Sequence, residues 1–340
     1  MTTGFSEMRV RSSQDEHGCI AGASTGDVLR LLSAGPAGAI LMALGDGPLR
    51  TKALTERVPG YARRTIYRYA GKLAELDVVD REEEPGVPSK VVHTLSEPCG
   101  TDLHSLVIRF ADASFTRLPD GRIDAQTWGS LGLLADLWEA GLVDELSCEP
   151  RSSTELARGP HGLSYHQVNR RAGLFKTAGL LADSDGPGRR RNYELTRKTR
   201  RTMGLIAEIA RWRHDHVVGE DEEGMTATEM AAALRAALPL ARSDRHDGKS
   251  LELRVIDKGA TPGAEGESES VWAEVEGDGT IHSCAGPGSS VDGSAWGKVA
   301  AWIPAVLDGQ PQKVSVGGDE ELVGDSLAAL HEALWGPGSF

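Results

Sequence analysis

Two stretches of this chain match one another at a constant offset of 102 residues. Leu54 falls on Leu156, Ile66 on Val168, Arg68 on Arg170, Ala70-Gly71 on Ala172-Gly173, Leu73 on Phe175 and Val78 on Leu180. The match runs without a gap through two helical patterns, and the unit is too long for a solenoid repeat. It therefore calls for two copies of one domain, each with its own apolar stripe to bury.

Each copy reads as a helix-turn-helix followed by a hairpin. In the second, Ser153 and Thr154 are placed to cap a short helix, Gly159-Pro160-His161-Gly162 breaks it, and Ser164 caps another helix running to about Gly179. Residues 180–182 and 191–196 then form strands around a turn at 185–188, which makes a wing. In the first, residues 49–57 and 62–76 read as helices, 78–81 and 90–96 as strands, and 82–89 as the turn between them. Ahead of it, residues 27–44 have helical apolar spacing interrupted at Gly35-Pro36.

The net charge of −13 hides a strong segregation. Lys and Arg against Asp and Glu number 15 to 22 in residues 1–150, 14 to 5 in 151–213 and 8 to 23 in 214–340, giving −7, +9 and −15. One basic module between acidic neighbours is the electrostatic footprint of a polyanion binder. Its candidate DNA contacts are Ser164, Tyr165, Gln167, Asn169, Arg170, Arg171 and Lys176 on the second helix, and Arg189, Arg190 and Arg191 at the wing. Arg170, Lys176 and the wing arginines suit phosphates, whereas Gln167 and Asn169 suit adenine edges. The first copy offers Arg63, Arg64, Thr65, Tyr67, Arg68 and Lys72, with Lys90 on a wing whose Glu82, Glu83 and Glu84 repel phosphate.

The run LGDGPLRTKALTERVPGYARRTIYRYAGKLAELDVVDREEEPGVPSKVVHTLSEPCG resembles the winged-helix domain of bacterial HxlR-type transcriptional regulators. The second copy resembles it more loosely through its ELA, HGLS, AGLL and GRRRNYELT segments, so that the likeness spans about residues 30–213. The resemblance implies a double-stranded DNA partner and binding as a dimer. Two copies in one chain then stand in for two subunits, giving either a monomer with an internal pseudo-dimer or a homodimer of such chains. The unequal wings imply unequal half-sites, with helix centres about 34 Å apart if they read adjacent major grooves.

Between the copies, residues 102–115 and 126–146 read as helices in which Trp128, Leu131, Leu134, Leu137, Trp138 and Leu142 form an apolar stripe. Core packing is its ordinary role; stacking of a small molecule against Trp128 and Trp138 is the alternative. A helix over 199–216 and an acidic linker over 218–225 follow. The remainder reads as α+β: helix 226–242, strand 251–257, a polar loop 259–270, a hairpin over 271–284 turning at 277–279, helix 292–307 capped by Asp292 or Ser294, strand 313–316 and helix 319–335. Its VDGSAWGKVAAWIPAVLDG and KVSVGGDEELVGDSLAALHEALW segments resemble the sterol-carrier-like domain appended to some HxlR-type proteins. That resemblance implies an apolar cavity, for which Trp272, Trp296 and Trp302 are candidate lining residues.

The expected architecture is mainly α with small β wings in two winged helix-turn-helix domains, plus a C-terminal α+β sterol-carrier-like domain. The divisions are a flexible tail 1–24, winged helices 25–118 and 119–217, linker 218–225 and the last domain 226–340. No apolar run is long enough to span a membrane, and the first residues lack the apolar core of a signal peptide, so the expected location is cytoplasmic. Cys19, Cys99, Cys148 and Cys284 have no zinc-site spacing and read as reduced core thiols. No catalytic motif, metal set or cofactor loop is present, so the expectation is a non-enzymatic regulator without cofactor, whose last domain senses an apolar ligand or mediates assembly. The alternative is a protein that sequesters an antibiotic or lipid on winged-helix domains. The acidic C-terminal segment also has the charge to fold back and mask the basic face.

Overall fold

A computed structural model describes residues 24–85, 90–114, 125–185, 191–216, 224–257, 268–288 and 290–336. The N-terminal tail with Cys19, most of the acidic linker and both Arg189 and Arg190 lie outside them.

Helix α1 (Thr25–Ser33) begins in a capping box: Asp27 N donates to Ser24 Oγ at 3.1 Å, and Ser24 N to the Asp27 carboxylate at 2.9 Å. Gly35, at φ 55°, then turns the chain into α2 (Pro36–Leu44), whose first-turn proline has no N–H to lose. The two helices are bent by 84°, and among the described residues no single helix is long and apolar enough to cross a membrane.

The first module follows as β1 (Leu49–Arg50), α3 (Thr51–Arg57), α4 (Arg63–Glu75), β2 (Val79–Glu84) and β3 (Lys90–Leu95). After α5 (Cys99–Ser114), α6 (Ala125–Glu139) and α7 (Leu142–Ser147) come β4 (Arg151–Ser152), α8 (Ser153–Leu156), α9 (Tyr165–Thr177), β5 (Leu181–Asp185) and β6 (Arg191–Leu195). Helices α4 and α9 begin and end 102 residues apart, as do β1 and β4. The two small sheets have the same order, β1-β3-β2 and β4-β6-β5, all antiparallel. Leu54, Ile66, Ala70, Leu73 and Val78 are buried, and so are Leu156, Val168, Ala172, Phe175 and Leu180 at the corresponding places.

Several local expectations need correction. The first two residues of the supposed helix 49–57 are a strand, because Leu49 and Arg50 pair with His93 and Val92. Ser152, rather than Ser153 or Thr154, caps α8, in a capping box with Glu155; Ser153 instead turns inward. Glu82–Glu84 were expected in a turn, yet they continue β2, where they face Val92, Val91 and Lys90 across the ladder. The helix foreseen over 126–146 breaks at Gly141, whose φ of 67° is left-handed.

Helix α10 (Arg197–His216) leads into α11 (Ala227–Ala237), which Thr226 caps and Pro239 ends earlier than anticipated. A five-stranded sheet follows, from β7 (Ser250–Ile256), β8 (Ser268–Val275), β9 (Ile281–Ala285), β10 (Gly293–Lys298) and β11 (Ser315–Gly318), ordered β11-β10-β7-β8-β9. Only the β10–β7 pair is parallel. Helices α12 (Val299–Leu307) and α13 (Glu320–Trp335) complete the chain. The helix expected over 292–307 therefore begins seven residues late, at Val299. Gly293–Lys298 instead form a strand, with Gly293 and Ala295 buried between less buried neighbours, and the Asp292 carboxylate receives Ser250 N at 2.8 Å.

The buried apolar residues form one continuous core from Val28 to Leu334. Helix α1 packs on α6, where Arg30 pairs with Asp136 and Glu139, and α11 packs on both α7 and α10. Of the cysteines, Cys99 alone among those described is buried; Cys148 is half-buried and Cys284 exposed, so two of the three depart from the core role expected of them.

The β3 histidine gives the first module a pH dependence. His93 is buried, and burial, with Arg81 adding to it, holds its imidazole below its ordinary value; burial acts the same way on His104, against a smaller opposing effect of Asp46. The native state then binds fewer protons than the unfolded chain, so this stability is complete above about pH 6.5 and is lost as the pH falls below it. Thermal melts should shift downward between about pH 7.5 and pH 5.5, and less so in His93→Gln. Melts that do not move over that range would remove this account.

Candidate nucleic-acid interface

The two repeated helices present different surfaces, and the difference lies in their partners. On α4, Arg63, Arg64, Arg68 and Lys72 are all exposed, and the spacing of four puts Arg64, Arg68 and Lys72 on one side of the helix. None forms an ion pair among the described residues. Three of them rest instead on tyrosines: the Arg63 guanidinium stands 5.1 Å from the Tyr67 ring centre and its Nε donates to Tyr67 Oη. Arg68 and Lys72 lie 5.1 Å and 5.4 Å from the Tyr69 ring. Such contacts hold cations in place without cancelling their charge. Tyr69 was absent from the expected site, although its place beside Arg68 and three residues before Lys72 is a readable signal. Thr65 is half-buried on the same helix.

Most of the polar groups foreseen on α9 are already engaged. Ser164 and Gln167 form the helix capping box, with Ser164 N donating to Gln167 Oε1 at 2.8 Å. Asn169 is half-buried, and its Oδ1 accepts from Ser153 Oγ at 2.6 Å. These two side chains were expected to read adenine edges; one caps its own helix and the other ties α9 to α8. Lys176, a candidate phosphate ligand, donates to the Asp183 carboxylate at 2.5 Å, and Arg191 stands 3.6 Å from the same group. The Lys176 hydrogen bond, with Arg191 nearby, holds the Asp183 carboxyl below its usual range. Tyr165 and Arg170 remain exposed, joined by His166 beside Tyr165, and Arg171 is half-buried. Leu174 is also exposed, at the place where α4 carries Lys72.

The wings follow the same logic. Glu84 pairs with Arg50 at 2.9 Å and faces Lys90 in register, whereas Glu82 and Glu83 stay exposed beside Lys90.

The tryptophans for which ligand stacking was the alternative mostly take the ordinary role, filling the core. Trp128 and Trp138 are buried, Trp128 lying close over Gly38, where an added Cβ would fall 2.2 Å from its ring. Trp302 is fully buried, its Nε1 donating to Arg254 O at 3.2 Å. The apolar space that Trp302 lines with Met203, Leu234 and Leu330 is about 10 Å3, room for no more than one water molecule. Trp272 and Trp296 are half-buried, covering Gly288 and Gly317. The residues named as cavity lining thus pack against protein.

Comparison with known proteins bears on the first module. The HTH-type transcriptional regulator YodB of Bacillus subtilis (strain 168) is 35% identical over 69 residues, covering 20% of this chain. The chain spans 61% of that relative's length. The crystal structure of the diamide-treated YodB from B. subtilis matches at 33% identity over 22% of this chain and 76% of that one, with a TM-score of 0.21. Residues 36–116, which contain α4 with its unpaired cations and both strands of the first wing, match the HxlR-like helix-turn-helix family and form a domain of that type.

Proposed function

We propose that this chain is a DNA-binding transcriptional regulator in which α4 is the principal reading helix. The observation that carries the reading is the row Arg64, Arg68 and Lys72, with Arg63 at the start of the same helix, all exposed and free of ion pairs among the described residues within the HxlR-like match. Clustered positive charge left unneutralised on an exposed helix attracts a polyanion, and the major groove admits such a helix. YodB, the relative matched here, is described as a transcriptional regulator of the helix-turn-helix type, which supports the same reading.

We further infer that residues 151–195 are a second winged helix, so that one chain supplies both halves of a pseudo-dimer. The common strand order, the 102-residue register of α4 with α9 and the matched core positions support this. With Lys176 and Arg191 sharing Asp183, the second half contacts DNA through Tyr165, Arg170 and Arg171 and contributes less than the first. The α+β segment serves assembly rather than storage of an apolar ligand, given how little space Trp302 lines.

Titration of the full-length protein into a fluorescently labelled duplex across a salt series tests the reading. Four α4 cations on phosphates give a log–log slope of about −3.6, steepened by any α9 and wing contacts. Absence of binding at about 50 mM salt, or an affinity indifferent to salt, would overturn it.

A further inference from the structure

A second basic feature lies away from both repeated helices. At the start of α10, a cleft of about 420 Å3 opens to solvent, lined among the described residues by Arg197, Arg200, Pro239, Leu240, Arg242 and Thr280. Arg242 is set on the rim by a backbone bridge to Thr280, and Arg200 by donating from Nη1 to Ala236 O at 3.0 Å. The cleft thus joins the end of the second module to the C-terminal segment, which carries −15 overall.

Three arginines face this space without an ion pair to any described residue. Glu194 and Cys148 act electrostatically on Arg200, and Arg242 on the Asp278 carboxyl, none of them through an ion pair among the described residues. Helix α10 makes the crowding worse, since its first turn contains no acidic residue while Arg197, Arg200 and Arg201 gather at its start. The N-terminal end of a 20-residue helix is itself positive, so cations there are disfavoured. Burial pushes the Arg200 guanidinium below its ordinary value, and burial with Arg197 does the same to Arg201. Such an arrangement is self-repelling as it stands, and a bound anion would relieve it.

We propose that this cleft binds a small, multiply charged anion bearing phosphate or carboxylate groups, held by Arg197, Arg200 and Arg242. Guanidinium forks match both groups with paired hydrogen bonds, and the volume falls within the range of about 300–1,000 Å3 typical of small-molecule sites. The arginine-rich rim selects against an apolar ligand. Because the anion would bridge α10 and the turn after α11, it would stiffen the junction between the second module and the C-terminal segment. The proposal does not depend on DNA binding through α4.

Calorimetric titration of pyrophosphate, and separately of citrate, into the full-length protein at fixed ionic strength tests it. Arg197→Ala/Arg242→Ala is the comparison, since both side chains are exposed and the variant should melt with the wild type when no anion is added. The expected result is saturable binding of one probe per chain, weakened about tenfold or more in the variant. Which probe binds more tightly separates phosphate from carboxylate chemistry. Three results overturn the proposal: no saturable heat with either probe, equal binding by the variant, or loss of pyrophosphate binding when the α4 arginines are removed instead. If the variant loses affinity for a DNA duplex and neither protein binds either probe, the cleft serves the DNA backbone and the proposal also fails.

Discussion

Replacing Arg63, Arg64 and Arg68 together with alanine should lower affinity for duplex DNA by about two to three orders of magnitude near 100 mM salt, and flatten the salt slope by about three. Each guanidinium contributes roughly 1–1.5 kcal/mol when it meets a phosphate or base edge, and here the three have no ion pair to give up first, only the tyrosine contacts of Arg63 and Arg68. Lys176→Ala gives the contrast. Its ammonium is held by Asp183 at 2.5 Å, so it must abandon a partner before reaching DNA, and its removal should cost less than about threefold. Both variants should keep the wild-type circular dichroism spectrum, because the α4 arginines are exposed and the α4 core of Ile66, Ala70 and Leu73 is untouched. Wild-type affinity in the triple variant would remove α4 from the interface. A larger loss in Lys176→Ala would move the interface to α9.

That contrast was not legible in the sequence, and the reason is physical. Charge counting placed the basic module at residues 151–213, since a count cannot see that Asp183 on β5 meets Lys176 on α9 and Arg191 on β6. Nor can helical spacing show that Ser153, sixteen residues earlier, meets Asn169. Gln167 is different. Ser164-x-x-Gln167 is a capping box in plain sequence, and reading it so would have removed Gln167 from the base-reading set. The helices α4 and α9 were legible almost to the residue because apolar period and breakers agree there: Ile66, Ala70 and Leu73 repeat at helical spacing between Pro59-Gly60 and the left-handed Asp77. The strand Gly293–Lys298 was misread as helix because Gly, Ser and Ala are weak local signals; its pairing to β7 and β11, both distant in sequence, decides it. The same holds for β1 and β4, two-residue strands defined only by the partners they find.

The other large effect is expected at Trp212. This residue is buried on α10, and its Nε1 donates to Cys99 O at 2.9 Å, so one side chain fastens α10 to the first turn of α5. Around it Arg109 reaches Glu208 at 2.7 Å, and Arg211 links Glu208 to Asp308 at 3.3 Å and 2.9 Å. Helix α10 thus touches α5 from the first module, α11 from the last segment and α12 beyond it. Trp212→Ala removes the buried ring and its hydrogen bond to Cys99 O, which should cost about 3–5 kcal/mol and lower the urea midpoint by about 1 M or more. Trp212→Phe keeps most of the packing and loses the hydrogen bond, so it should cost about 1–3 kcal/mol. The ordering matters more than either value, since it separates packing from the Cys99 bond. Because the buried core is continuous from Val28 to Leu334, wild-type unfolding should be a single transition that both variants shift as a whole. A wild-type curve in two steps, with only the later one responding to Trp212, would mean that α10 belongs to one module alone and that the two reading helices are not fixed relative to each other. A single displaced transition would make α10 the element that sets the spacing of α4 and α9, and the pseudo-dimer would then present its two helices to DNA at one distance.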